Sequence, residues 1–233
     1  MSSTDALDLL TRGTVTVKGR MPWASNVTLL AEVTLGPACV RAIYKPERGE
    51  RPLWDFPPGL YKRELAAYLF SEALGWGLVP PTIVREGPLG EGSLQLFVEA
   101  EFEQHWFTLR EDPRHRERLQ KICVYDFVAN NADRKSGHCL LGPDDQIYAI
   151  DNGLTFHTDM KLRTVIWDYA GEPIPSNVLN DLKRFVEADL PDPLAELLDP
   201  DEQQALRVRA KALIDYARFP EDRSGHHYPW PPV

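Results

Sequence analysis

Long apolar runs are missing from this chain of 233 residues. No stretch approaches the roughly 18 apolar residues that a bilayer-spanning helix needs, so no transmembrane segment is expected. The opening residues, MSSTDALDLLTRG, show no basic stretch followed by an apolar one, and no secretory leader is expected either. Cysteine is scarce. Cys39, Cys123 and Cys139 are odd in number and irregular in spacing, which argues against a disulfide framework and for free thiols in a reducing compartment. Each lies among apolar neighbours and is expected to be buried and inert. Positive charge is in deficit: a formal net charge of −9 repels nucleic acid and anionic membranes at long range. The one basic cluster, Arg114–Lys121, is interrupted by Glu117 and reads as a solvated helix face. Internal repeats and low-complexity tracts are absent. These absences leave a cytoplasmic globular protein, long enough for one sizeable domain or two small lobes around a cleft.

What is present changes character along the chain. The N-terminal part reads as strands: TVTVKG alternates Val15 and Val17 with polar residues, NVTLLAEVTL and CVRAIYK follow closely, and GPA supplies the turn between them. PERGERPLWDFPPG is a loop. A helix is expected from Leu60 to Leu74, with Leu65, Leu69 and Ala73 at helical spacing and Gly75 as its stop. GLVPPTIVREG and SLQLFVEA read as two more strands. From Arg114 the pattern turns helical, with Leu119, Ile122, Cys123 and Phe127 on one stripe. QIYAI is a short strand. Asp199, Pro200 and Glu202 mark a helix start, and Leu206, Ala210, Leu213, Ile214 and Ala217 form its apolar face. The tail SGHHYPWPPV, with His226 and His227, is expected to be loosely ordered. A β-rich lobe over residues 1–105 and a helical lobe over 106–233 are therefore expected, with ligands binding between them.

Several residues stand out on their own chemistry. Lys45 ends a strand in which Ala42 and Tyr44 share one face and Ile43 and Lys45 the other. It is either an edge-strand lysine in water or an inward ammonium that needs a partner, and Glu64 on the following helix is a candidate. Asp133 sits in a polar turn after a helix, with His138 five residues on. Asp151 ends a strand and is followed by Asn152-Gly153. Two readings are open for that turn. It is an ordinary hairpin, or it presents a carboxylate to Mg²⁺, which takes one or two protein carboxylates and completes its shell with phosphate oxygens and water. The following LTFHTDMKLR is not a clean returning strand.

The order of strand lysine, helix glutamate, Asp133 and its polar loop, then Asp151-Asn152-Gly153 after a strand resembles the protein-kinase fold. Asn131-Ala132-Asp133-Arg134 and AIDNGLTF look closer to the phosphatidylinositol 3-/4-kinase-like superfamily, especially the type II phosphatidylinositol 4-kinases, and AIYKP resembles their nucleotide-binding strand. SNVTLL, YKPERGERPLWDFPPG, Arg63-Glu64-Leu65-Ala66-Ala67-Tyr68 and LGWGLVPPT are similar to an uncharacterised actinobacterial kinase-like family, over roughly residues 8–220. The resemblance implies an α+β, two-lobed protein-kinase-like fold, with an antiparallel-sheet N-lobe and a helical C-lobe. It implies ATP with Mg²⁺ or Mn²⁺, Lys45 on the phosphates, Glu64 orienting it, Asp133 as the loop aspartate that positions or deprotonates an acceptor hydroxyl, and Asp151 on the metal.

The sequence also departs from the kinase pattern. His138 stands where a metal-binding Asn is expected, and imidazole suits Mg²⁺ poorly. Asn130, Asn131 or Asn152 supplying the oxygen, or use of Mn²⁺, are the alternatives. The phosphate-covering loop, KGRMPWASNV, holds one glycine, Gly19, so Ser25 and Asn26 are expected to donate instead. Alternatively, this is a polar turn between strands. Gln95, Phe97 and Val98 fall where a hinge for adenine is expected. No basic amphipathic helix, acylation signal or A-P-E-like landmark is seen, so a soluble small-molecule or protein acceptor is favoured over a lipid. AMP transfer, amino-acid ligation and a non-catalytic nucleotide-binding module are the rival functions.

Overall fold

The computed structural model describes residues 3–22 and 26–232. Five antiparallel strands form one sheet in the order β1-β2-β3-β5-β4: β1 (Thr14–Arg20), β2 (Leu29–Leu35), β3 (Ala38–Pro46), β4 (Thr82–Gly87) and β5 (Gly90–Leu96). Alternation sets its inner face. Leu29, Ala31 and Val33 of β2, Ala42 and Tyr44 of β3 and Leu94 of β5 are buried together, while the alternate residues of β2 and β3 are more exposed. Gly36 and Pro37 close the β2–β3 hairpin, in which Leu35 pairs with Ala38. Gly36 has φ +58°, the positive value that the first position of such a two-residue turn requires.

The first of the helices that were not expected lies before the sheet. Helix α1 (Ser3–Arg12) precedes β1 and lays Ala6, Leu9 and Leu10 on the inner face of the sheet. Its i, i+3, i+4 apolar spacing is the signal that the strand-dominated reading of this region passes over.

Helix α2 (Leu60–Ala73) follows the loop 47–59 and packs against β4 and β5. The stripe expected to face inward, Leu65, Leu69 and Ala73, is only partly buried; Ala66, Ala67 and Phe70 are fully covered. The helix runs between the sheet and the helical half, so it has no free face.

The second half holds α3 (Trp106–Leu109), α4 (Arg116–Ala129), the two-stranded ribbon β6 (Cys139–Leu141) and β7 (Ile147–Ala149), then α5 (Ser176–Glu187), α6 (Asp192–Ala195) and α7 (Pro200–Tyr216). The expected cap at α7 is present in part: the Glu202 carboxylate accepts the Asp199 N–H at 3.1 Å. The main core joins α2, α4, α5 and α7, with Phe70 touching the rings of Tyr125, Phe156 and Phe185.

Two expectations fail here. Cys39 is exposed, at the turn end of the β2–β3 hairpin beside exposed Thr34, while Cys123 and Cys139 are buried as expected. The tail is not loose. The His227 carbonyl accepts the Thr164 N–H at 3.0 Å and the Trp167 indole N–H at 3.2 Å. The Pro232 carbonyl accepts the Ser136 N–H at 2.9 Å. Backbone carbonyls need no sequence periodicity to pair, which is why composition missed this order. No helix among the described residues is long and apolar enough to cross a membrane.

Candidate functional site

The end of β3 carries Lys45 to the cleft. Its neighbour Pro46 pairs with Gly92 of β5. A Cβ on Gly92 would lie 2.4 Å from the Lys45 carbonyl oxygen, so only glycine lets β5 approach this closely. The Lys45 ammonium donates to Glu64 Oε1 of α2 and, at 2.7 Å, to Asp151 Oδ1. Burial pulls the ammonium's pKa down, but Asp151 and Glu64 outweigh it and hold it above the ordinary lysine value. The Glu64 side chain is 3% exposed. Its second oxygen accepts the Asn152 N–H at 3.1 Å, so one carboxylate joins β3, α2 and the Asp-Asn-Gly turn.

Asp151 adopts φ +56°, and its carboxylate is half-exposed toward the cleft. Lys45 holds it well below the usual carboxylate range. β7 pairs back to β6 rather than forward, so Asp151 ends a ribbon and does not sit in a hairpin turn. His138 lies at the same end of that ribbon, just before β6, with Nε2 3.4 Å from Asp151 Oδ2. Its Nδ1 accepts the Lys135 N–H at 3.4 Å, which leaves the proton on Nε2, facing Asp151. Burial pushes the imidazole down to about 4, so it is neutral at pH 7. In this tautomer His138 presents an N–H on the side of Asp151; acting as a ligand through Nε2 requires the other tautomer.

Helix α4 ends at Asn130 in the left-handed region, φ +55°, and the chain turns into the loop that bears Asp133. Every side-chain bond in this loop is directed. Asn130 donates to the carbonyls of His157 and Asp159 at 2.9 and 2.7 Å and accepts the Lys161 N–H at 2.8 Å. Asn131 accepts the Asp133 N–H at 3.0 Å. Arg134 is fully buried. It pairs with Asp126 of α4 at 2.9 Å, donates to the Ile150 carbonyl at 2.6 Å and donates to Asn152 Oδ1 at 2.6 Å. The carboxamide oxygens of Asn130, Asn131 and Asn152 are thus all committed, and none of the three is the alternative metal ligand.

Asp126 and Arg134 are the site residues that sequence reasoning missed. The available signal was a lone carboxylate in the apolar run ICVYDFVA, which must find a cation when buried. Asp133 itself is partly exposed, with Lys135 Nζ 3.3 Å away. Burial raises its carboxyl above the ordinary aspartate value, and Lys135 offsets part of this.

The cleft extends from Lys45 and Asp151 in two directions. One chamber, toward α2, is lined by Asn26, Thr28, Glu50, Tyr61 and Glu64. Asn26 Oδ1 accepts the Arg51 N–H at 3.0 Å, so its side chain braces the loop 47–59 here; Ser25 lies outside the described residues. The other chamber, about 440 Å³, is walled by Ile43, Leu96, Phe97, Phe102, Leu140 and Ile150, a slot whose apolar faces suit a planar base. Gln95 and Val98 line it too. Gln95 is tied to Thr82 Oγ1 at 2.9 Å, and the Phe97 N–H is committed to the Arg41 carbonyl at 3.0 Å. The backbone of Val98 makes no hydrogen bond among the described residues. Of the tail histidines, His227 braces the turn: its Nδ1 lies 3.0 Å from Asp222.

No group of three or more His, Cys, Asp or Glu side chains that could hold a metal ion clusters among the described residues. The donor set instead fits an ion that arrives on phosphate. Asp151 offers a hard, half-exposed carboxylate, and Mg²⁺ needs only one or two of these.

No family model matches this chain. Protein Rv2133c of Mycobacterium tuberculosis is 41% identical to it over 265 aligned positions, covering 96% of this chain and 94% of that protein. Solved structures share its fold, the following three among them. The Golgi casein kinase with Mn/ADP bound aligns with a TM-score of 0.62 at 15% identity, over 99% of this chain and 80% of that one. Hydra Fam20 with sugar aligns at 0.61 and 16% identity, over 92% and 87%. The Helicobacter pylori proinflammatory kinase CtkA aligns at 0.54 and 10% identity, over 89% and 94%. The fold is kinase-like, with an antiparallel sheet preceding a helical region.

Proposed function

We propose that this chain, which belongs to the family of Protein Rv2133c, is an ATP-dependent phosphotransferase that moves the γ-phosphoryl group to a hydroxyl acceptor. Residues 1–105 form its nucleotide lobe and 106–233 its catalytic lobe. The observation that carries this reading is the Lys45 ammonium held between Glu64 and Asp151, with the Asp133 loop locked to the same turn through Arg134. The catalytic share of a protein in such chemistry is positioning and charge neutralisation, which this constellation supplies.

ATP lays its base in the apolar slot beside Phe97 and Val98, and its phosphates meet Lys45. Asp151, with His138 beside it, would hold the Mg²⁺ or Mn²⁺ carried by those phosphates, an ion that would neutralise their charge. The Golgi casein kinase structure with Mn/ADP supports this pairing of nucleotide and ion. Asp133 accepts a hydrogen bond from the acceptor hydroxyl. As the new oxygen–phosphorus bond forms, the bond from the γ-phosphorus to the β,γ-bridging oxygen breaks and ADP departs. The hydroxyl proton passes to Asp133 and then to water. The motifs N-A-D-R and A-I-D-N-G-L-T-F support kinship with the phosphatidylinositol 3-/4-kinase-like superfamily. The acidic chain, without a basic amphipathic helix, favours a soluble acceptor.

Thermal unfolding with a non-hydrolysable ATP analogue and Mg²⁺ or Mn²⁺ tests the reading. At 100 times the dissociation constant, binding adds about 2.7 kcal/mol of stability. Asp151→Ala is expected to abolish the metal-dependent part. No shift with any nucleotide and metal would refute the proposal. A product heavier by AMP rather than by phosphate would redirect it to nucleotidyl transfer.

A further inference from the structure

Beside Asp133 lies a cation that phosphoryl transfer as described leaves without a task. Arg163 belongs to the irregular segment after Asp151, and its backbone is stitched to the Asp133 loop on both sides. Its N–H donates to the Asn131 carbonyl at 2.9 Å, and its own carbonyl accepts the Arg134 N–H at 2.9 Å. Its side chain is anchored too: Nε donates to the Ala132 carbonyl at 2.8 Å. The guanidinium is therefore fixed one peptide away from Asp133, and the residue remains exposed.

The neighbouring cations are already committed. Arg134 pairs with Asp126 at 2.9 Å, Lys135 with Asp133 at 3.3 Å and Lys161 with Asp55 at 3.5 Å. Arg163 pairs with no carboxylate among the described residues. An exposed arginine ordinarily keeps its rotamer freedom. Here the Nε bond removes much of it and leaves the two terminal amino groups presented together. That planar fork matches the two oxygens of a carboxylate or phosphate. An anionic acceptor approaching Asp133 would otherwise meet a repelling carboxylate, and an anchored cation at this point offsets that repulsion.

We infer that Arg163 anchors the acceptor, recognising an oxyanion, phosphate or carboxylate, that the acceptor carries close to the hydroxyl served by Asp133. The inference rests on the phosphotransfer reading and narrows the acceptor from any hydroxyl compound to an anionic one. Lys161 flanks the same loop through its backbone bond to Asn130, but its ammonium is directed to Asp55.

The test is binding to the full chain saturated with a non-hydrolysable ATP analogue and Mn²⁺, read by saturation-transfer NMR. The probes are glycerol 3-phosphate and a blocked Asp-Ser-Asp peptide, each against its neutral counterpart, glycerol and a blocked Gly-Ser-Gly peptide. At least one anionic probe is expected to bind tenfold or more tightly than its neutral counterpart. Arg163→Glu is expected to erase that advantage, Arg163→Lys to keep part of it, and Arg12→Glu on α1 to leave it intact. The probe that binds identifies the phosphate or the carboxylate source. Equal binding of anionic and neutral probes, or an advantage that survives Arg163→Glu, would overturn the assignment. Thermal shift by the analogue on the same samples separates the two proposals. If the wild type shows no nucleotide shift but keeps an Arg163-dependent anion preference, phosphotransfer fails and the anion site stands. If Arg163→Glu abolishes the nucleotide shift, the arginine serves the nucleotide and the acceptor assignment falls.

Discussion

Lys45 and Glu64 meet across two elements, and the Glu64 side chain is almost fully buried. Removing one partner of a buried pair strands the other charge, at about 3–5 kcal/mol. Lys45→Ala leaves buried Glu64 without its cation, so a loss near the lower end, about 3 kcal/mol, is expected in urea unfolding. Asp133 behaves in the opposite way. Its carboxyl is raised by burial, so its charged form is penalised in the folded state above the unfolded pKa, and the penalty is relieved as pH falls through the raised value. Asp133→Asn is accordingly expected to keep or slightly raise the Tm at pH 7 while abolishing phosphoryl transfer. The same shift places the acid limb of the wild-type pH–rate profile above the ordinary aspartate range; a limb at or below that range would contradict the role. The pair that sequence reasoning missed gives a third expectation. Arg134→Ala strands Asp126 and should cost about 3–5 kcal/mol. The double variant Asp126→Leu/Arg134→Met should recover much of that stability yet not the nucleotide-dependent shift, because the bonds to Ile150 and Asn152 that order the Asp-Asn-Gly turn stay lost.

At the scale of elements, α2 is the hinge of the design. It presents Glu64 to the sheet side and Phe70 to the main core. Phe70→Ala removes a ring packed on three others and is expected to cost about 3–5 kcal/mol in chemical denaturation. The N-terminus of α2 starts at Gly59 without a side-chain cap of its own. Glu50 supplies one from the preceding loop, accepting the N–H groups of Gly59 and Tyr61 at 3.0 and 2.7 Å. Loss of a capping acceptor costs about 1 kcal/mol, so Glu50→Ala should lower stability by roughly that amount in urea unfolding. That cap is invisible to a local reading, since it comes from outside the window in which capping residues are sought. The strands, by contrast, were legible. Alternation marked β1 to β3 and put Lys45 on the face opposite Tyr44, because a period of two is imposed on every residue of a half-buried sheet. α1 was passed over because a short amphipathic segment next to strong strand signals carries less weight than they do.

At the scale of the molecule, the tail acts as a strap. Its backbone accepts hydrogen bonds from Thr164, Trp167 and Ser136, which ties the Asp133 loop to the irregular segment carrying Arg163. Three bonds at about 0.5–1.5 kcal/mol each predict that truncation before Asp222 costs about 2–4 kcal/mol. The amide of Ser136 should also lose its protection from hydrogen exchange. Unchanged exchange there would show that the tail only rests on the loop.

The sequence by itself determined the order of β1 to β5 with α2 between β3 and β4, the face on which Lys45 lies, and the one ammonium and three carboxylates at Lys45, Glu64, Asp133 and Asp151. Periodicity and residue type act within a few positions, so they survive in a linear reading. Only the tertiary structure decided that Lys45 contacts Glu64 and Asp151 together, that Arg134 spends its charge on Asp126, that the three asparagines are structural and that Arg163 stands anchored beside Asp133. Each of those outcomes depends on directed bonds between segments far apart in the chain, where distance and angle select the partner and local composition carries no trace of them.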